Sequence, residues 1–234
     1  MRIDVLTIFP KMFDAVLGES IIKRAVNKGI VKIRLYDLRD FTDDKHGKVD
    51  DKPFGGGAGM VMAVQPIYNA LLSVTGKTSK GNKGVKKDLK VILLTPQGKR
   101  LDQGLANRLA KCKHLILICG HYEGVDERVR HLVTDEISIG DYVLTGGELP
   151  AMVVIDAITR LVPSVLGDED SSKFDSFQGG LIEHPHYTRP RIFKDMSVPE
   201  VLLSGDHDAI KKWRHKEAVK RTKERRPDLL KNKN

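Results

Sequence analysis

Three glycine-bearing segments are the first places to look for chemistry, because each follows a strand-like apolar run. They are Thr95-Pro96-Gln97-Gly98, Gly120-His121-Tyr122-Glu123-Gly124, and Ile139-Gly140-Asp141-Tyr142-Val143-Leu144-Thr145-Gly146-Gly147-Glu148. In an open α/β sheet, ligands bind beyond the carboxyl ends of the strands, and glycine there lets main-chain amides and carbonyls come close to a ligand. Three such loops could line one pocket, although glycine after a strand is also ordinary turn chemistry. A fourth segment, Asp50-Asp51-Lys52-Pro53-Phe54-Gly55-Gly56-Gly57-Ala58-Gly59-Met60, follows a charged loop containing Lys45 and His46. It reads equally as a flexible turn and as a loop that lays its main chain against a planar substrate.

Missing motifs narrow the chemistry. There is no G-x-x-x-x-G-K-[ST] phosphate loop, the glycines at 55–59 fail the G-x-G-x-x-G spacing, and no G-x-S-x-G elbow is present. No His or carboxylate cluster has the spacing of a hydrolytic metal site, so no metal ligands are assigned. Cys112 and Cys119 lack a C-x-x-C or His partner and read as free thiols of a reducing cytosol. No apolar run approaches the roughly 18 residues of a membrane span, and the first residues lack a secretion signal. A cytoplasmic protein with no membrane partner is expected.

The elements that must carry these loops are legible as patterns. Residues 3–9 and 31–35 read as strands, and Phe13, Val16, Leu17, Ile21 and Ala25 recur between them at helical spacing, giving a β-α-β unit. Runs at 91–95 and 115–119, separated by a helical stretch at 101–111, predict buried parallel strands. A strand and loop follow at 137–148, then an apolar helix over 151–161 that ends before Pro163. The small, polar segment 167–180 predicts a linker between an α/β domain over 1–166 and a small, basic, helical domain over 181–234. In the latter, Ser197-Val198-Pro199-Glu200 is a capping-box pattern, Asp206 can cap a helix running to about Arg225, and Trp213 reads as a core residue.

Charge is informative once located. The 234 residues carry a formal +9, yet 211–234 alone holds +8 and 77–90 holds +5, leaving the rest acidic. That concentration is the footprint of docking on a phosphate backbone; a solvated helix face and a mobile loop are the plainer alternative.

Four segments together closely resemble the bacterial TrmD family of tRNA (guanine-N1-)-methyltransferases. They are residues 53–60, residues 120–128 (Gly-His-Tyr-Glu-Gly-Val-Asp-Glu-Arg), residues 139–148, and His186-Tyr187-Thr188-Arg189-Pro190. The resemblance runs in order from Met1 to about Leu229. It implies an α/β, parallel-sheet SPOUT domain with a deep trefoil knot, followed by a small helical domain; true knots are so rare that periodicity gives no hint of one. It also implies S-adenosylmethionine as cofactor, tRNA as partner through its anticodon loop, and a homodimer with active sites shared between subunits. By motif, the cofactor falls on Thr95, Pro96, Gln97, Gly98, Gly120, Tyr122, Glu123, Gly124, Ile139, Gly140, Asp141, Tyr142, Val143, Leu144, Gly146, Gly147 and Pro150. The resemblance suggests that Mg²⁺ assists, without naming ligands for it here.

The implied reaction is methyl transfer to N1 of the guanosine at position 37. Guanine N1 carries a proton and is a poor nucleophile until that proton leaves, whereupon negative charge spreads to O6. The site therefore needs a base near N1 and a cation or donor near O6. The resemblance gives these roles to Asp175, in Asp175-Ser176-Phe177, and to Arg160. A free Asp is a weak base, so burial or linker closure is expected to raise its pKa. Expected RNA contacts are His46, Gly55, Gly56, Gly57, Gly59, Arg189, His207, Lys211, Lys212 and Arg214, with His186 and Tyr187 as stacking or packing residues. This chain departs from many relatives in carrying His121 in place of Arg and Ala58 in place of Pro. A non-enzymatic RNA-binding scaffold, or a SPOUT methyltransferase with another RNA target, are the competing readings.

Overall fold

A computed structural model of the chain describes residues 1–76, 88–167 and 175–231. They fall into two compact units, the first ending at Gly167 and the second beginning beyond it. Residues 77–87 of the basic segment and residues 168–174 of the expected linker lie outside the described residues.

The first unit contains strands β1 (Arg2–Thr7), β2 (Lys32–Asp37), β3 (Asp50–Asp51), β4 (Val61–Met62), β5 (Leu89–Arg100), β6 (His114–Cys119) and β7 (Asp135–Ser138). Its helices are α1 (Asp14–Leu17), α2 (Ser20–Asn27), α3 (Val64–Thr75), α4 (Gln103–Leu109) and α5 (Glu148–Thr159). Five strands form one parallel sheet in the order β2-β1-β6-β5-β7. The apolar runs are buried on both faces, as a parallel sheet requires. Ile3, Val5, Leu115 and Leu117 pack with Phe13, Ile22, Leu105, Leu109 and the α5 residues Ala151, Val154, Ile155 and Ile158. On the other face Leu6, Ile116, Ile118 and Leu93 pack with Ile67, Ala70, Leu71 and Val74 of α3.

Two elements differ from the sequence patterns. The helical periodicity across 13–25 is split into α1 and α2, because Gly18 ends the first turn. β5 runs on past the expected end: Leu94 and Lys99 both pair with Ile137, so residues 95–98 form an excursion inside a strand rather than a loop after it.

The second unit contains the hairpin β8 (Ile192–Phe193) and β9 (Met196–Ser197), the long helix α6 (His207–Arg225) and α7 (Asp228–Lys231). Asp206 caps α6, its Oδ1 accepting from the amides of Asp208 at 3.0 Å and Ala209 at 2.9 Å. The capping-box expectation at 197–200 fails. Ser197 is taken up by the hairpin ladder opposite Ile192, and Glu200–Leu203 forms only a 3-10 turn with no side-chain cap.

Candidate active site

The carboxyl ends of β5, β6 and β7 surround a cavity of about 390 Å³, within the range of small-molecule cofactor sites. The β5 excursion contributes Thr95, Pro96 and Gln97, and the segment after β6 contributes Gly120, Tyr122, Glu123 and Gly124. The segment after β7 contributes Ile139, Gly140, Tyr142, Val143, Leu144, Gly146 and Gly147, with Pro150 from the first turn of α5. Two residues expected here lie outside the cavity wall. Gly98 sits against the backbone of Glu136 and Ile137, where a side chain would separate β5 from β7. Asp141 is exposed.

The loops hold one another. The Gly147 amide donates to the Gly120 carbonyl at 2.7 Å, and His121 bridges Gly146 in antiparallel fashion. A Cβ on Gly147 would stand 2.7 Å from the Cα of Cys119 and 2.9 Å from the Gly120 nitrogen, so the crossing admits only glycine. Tyr122 adopts φ 60° in the middle of this arrangement, a conformation that side chains resist and that clusters at functional sites.

Under the crossing lies Glu148, 1% exposed. It accepts from Thr7 Oγ1 at 2.8 Å, and its other oxygen lies 3.6 Å from His121 Nδ1. His121 thus faces this buried carboxylate across the loop contact. Its ring packs edge-on to Phe9 and Tyr122, and its amide reaches Met62 Sδ at 3.1 Å. Burial, and secondarily Glu148, push the Cys119 thiol well above its ordinary range, making it an inert core thiol. Glu148→Ala leaves Thr7 without this acceptor and His121 without the carboxylate it faces. It is expected to cost about 2 kcal/mol of stability, and a thermal melt alongside a cofactor titration checks whether both fall together.

The glycine loop at 53–59 is tied to the cavity wall. The Glu123 amide donates to the Met60 carbonyl at 3.0 Å, and the Met62 amide to the Gly124 carbonyl at 2.9 Å. Glu123 Cγ lies 2.5 Å from where a Gly59 Cβ would stand, and Gly59 itself has φ 81°.

This layout can be set beside known proteins. The family model described as tRNA (Guanine-1)-methyltransferase TrmD matches residues 1–232. The chain belongs to the TrmD family. It is 60% identical over 231 residues to the tRNA (guanine-N(1)-)-methyltransferase of Anoxybacillus flavithermus, covering 98% of this chain and 91% of that protein. Proteins of the same name from Dictyoglomus turgidum and Geobacillus kaustophilus are 56% and 58% identical, each covering 98% of this chain and 90% and 91% of their own lengths. TrmD proteins are SPOUT folds, in keeping with the central parallel sheet.

The residues that the TrmD resemblance marks for catalysis lie one in each unit. Arg160 is the half-buried C-cap of α5. Asp175, also half-buried, opens a turn in which its carbonyl accepts from the Gln178 amide at 3.2 Å and Ser176 Oγ accepts from the Glu183 amide at 3.1 Å. That turn is fastened to α6, with the Ile182 amide donating to Thr222 Oγ1 at 2.9 Å and the Arg226 guanidinium 5.5 Å from the Phe177 ring. Arg189, His207, Lys211, Lys212 and Arg214 are exposed on the second unit, and His46 is exposed on the first. Tyr187 packs near Trp213, with ring centroids 6.4 Å apart. Burial pushes the His184 imidazole below its ordinary pKa, and its ring lies beside that of His186, with centroids 4.6 Å apart.

Some wall residues were not legible as motifs. Leu93, Leu94, Ile137 and Ser138 belong to strands and read only as core. Arg130 gave no signal because its partners are remote or unremarkable. It donates to Gln97 Oε1 at 2.6 Å, approaches Glu127 Oε1 at 2.9 Å and pairs with Glu136, steadying the β5 excursion. Among the described residues, no group of three or more His, Cys, Asp or Glu could hold a metal ion, and no helix is long and apolar enough to cross a membrane.

Proposed function

We propose that this protein transfers the methyl group of S-adenosylmethionine to N1 of the guanosine at position 37 of tRNA. The observation that carries the reading is the cavity built from three glycine segments that are also the family's motifs. Its glycine-rich lining leaves room for a cofactor with adenine, ribose and amino-acid groups, and its volume suits one such molecule. S-adenosylmethionine, when bound, supplies an electrophilic methyl group on a sulfonium.

The chain's own residues supply the remainder. Asp175 takes the N1 proton, and Arg160 stabilises the negative charge that then develops on O6. The main chain of Gly55, Gly56, Gly57 and Gly59 lies against the guanine, and His46, Arg189, His207, Lys211, Lys212 and Arg214 hold the surrounding phosphates of the anticodon arm. We assign the three cavity segments to the crossings of a deep trefoil knot, a reading supported by how closely Gly147 passes Cys119 and Gly120. The enzyme works as a homodimer in the cytoplasm, with Asp175 completing a partner's site. Exposed Phe9, Met12 and Leu149, which border one surface hollow beside the cavity, are the apolar face that a second copy covers.

The test uses purified protein, radiolabelled S-adenosylmethionine and two tRNA transcripts that differ only in guanosine or adenosine at position 37. Label on the guanosine transcript alone, mapped to N1 by mass spectrometry, is the expected result. Binding of both transcripts without transfer to either would favour the non-enzymatic scaffold.

A further inference from the structure

Phe54 is fully exposed, at 102% of its reference area, and every residue from 54 to 59 around it is exposed. It sits in a turn closed by the Gly56 amide, which donates to the Pro53 carbonyl at 3.3 Å. Aromatic side chains carry a large hydrophobic driving force to be covered, so one left without packing at the tip of a loop calls for a partner. The loop is not free to present it anywhere. Gly59 is fixed against Glu123, and both Glu123 and Gly124 line the cofactor cavity, so Phe54 stands at most about 17 Å of extended chain from the cavity wall.

The surroundings of Phe54 indicate which partner. Protein interfaces have clustered apolar cores, and Phe9, Met12 and Leu149 form such a cluster elsewhere on this unit. Phe54 instead stands alone, with Asp50, Asp51 and Lys52 before it and three glycines after it. A lone aromatic at the tip of a loop with smooth glycine backbone after it matches the platform on which an unpaired nucleobase stacks. An enzyme that alkylates a base must draw it out of its stack, and apolar wedges commonly occupy the place so opened.

We propose that Phe54 stacks on a nucleobase adjacent to the guanosine that enters the site, filling the gap left in the anticodon loop. This rests on the tRNA methyltransferase reading above and adds to it a side-chain contact to a second nucleotide.

The test compares wild-type protein with Phe54→Ala, Phe54→Tyr and Phe54→Leu. Methyl transfer is measured at saturating S-adenosylmethionine, and binding is followed with tRNA carrying 2-aminopurine on either side of position 37. The expected result is a fall of about tenfold to a hundredfold in kcat/KM for tRNA in Phe54→Ala, with cofactor affinity and melting temperature unchanged. Phe54→Tyr keeps most of the activity, and Phe54→Leu falls nearly as far as the alanine variant. The 2-aminopurine emission on one side of position 37 should differ between wild type and Phe54→Ala in the bound complex. Full activity in Phe54→Leu would overturn the proposal in favour of a non-aromatic contact, such as one with a second copy of the chain. Full activity in Phe54→Ala would overturn it outright. Should wild-type protein bind tRNA without methylating it, the function reading fails, while the fluorescence comparison still decides whether Phe54 stacks.

Discussion

Asp175→Asn is expected to lower single-turnover methyl transfer by about 10²- to 10⁴-fold, the usual worth of a positioned general base. The guanine N1 proton must leave before N1 can attack, and a carboxylate can accept it where a carboxamide of the same shape cannot. The main-chain and neighbouring bonds that close its turn survive the substitution. The Gln178 amide bonds the main-chain carbonyl of Asp175, the Glu183 amide bonds Ser176, and the Ile182 amide bonds Thr222 on α6. None of these uses the Asp175 side chain. Cofactor and tRNA affinities, measured by calorimetry and filter binding, should therefore stay close to those of the wild type. Unchanged turnover would remove Asp175 from the mechanism and leave the proton acceptor to be sought elsewhere.

Gly147→Ala is the second large effect. The added methyl carbon would lie 2.7 Å from Cys119 Cα and 2.9 Å from the Gly120 nitrogen. Those atoms are main chain at the end of a central strand, where neighbours on both sides restrain any retreat. Relief has to come from opening the Gly147–Gly120 hydrogen bond, which is the seam between two cavity walls. Overpacking of this kind costs about 2–3 kcal/mol, a fall in melting temperature of roughly 5–10 °C for a chain of this size. Cofactor affinity should fall by at least about tenfold, since a seam displaced by even 1 Å misplaces the groups it carries. Gly167→Ala, where nothing among the described residues stands within 4 Å of the new Cβ, is the control and should behave as wild type. Equal cofactor binding in the two variants would mean that the crossing is looser than its geometry implies.

Much of this architecture was legible because burial leaves a pattern. Apolar runs such as Leu115 to Cys119 could hardly be anything but interior strands, and Asp206 announced its helix. The strand order was not legible: nothing local in Arg2–Thr7 says that it lies between β2 and β6, since parallel neighbours are chosen by packing across the whole sheet. The excursion at 95–98 escaped detection for a related reason. A bulge is defined by the partner strand, and Ile137 is far away in sequence. At the site, the glycines are visible as types, but the sequence does not show that the backbone of Glu136 and Ile137 closes in on Gly98. Glu148 is in sequence only the end of a motif, and nothing local marks it as the buried carboxylate beside Gly146. Arg130 was silent because an arginine's partners cannot be guessed from spacing.

The pairing of β1 with β6 also governs how the chain comes together. β5, β6 and β7 are close in sequence, but the central partner of β1 is made more than a hundred residues after it. On the ribosome, at about 5–20 residues per second, β1 waits roughly 6–20 seconds for that partner. Until then one edge of the β1–β2 pair is open, and an open edge invites pairing with other chains. The cavity is therefore a late product of assembly, and the nascent amino-terminal half is the stretch most exposed to aggregation and most in need of a chaperone.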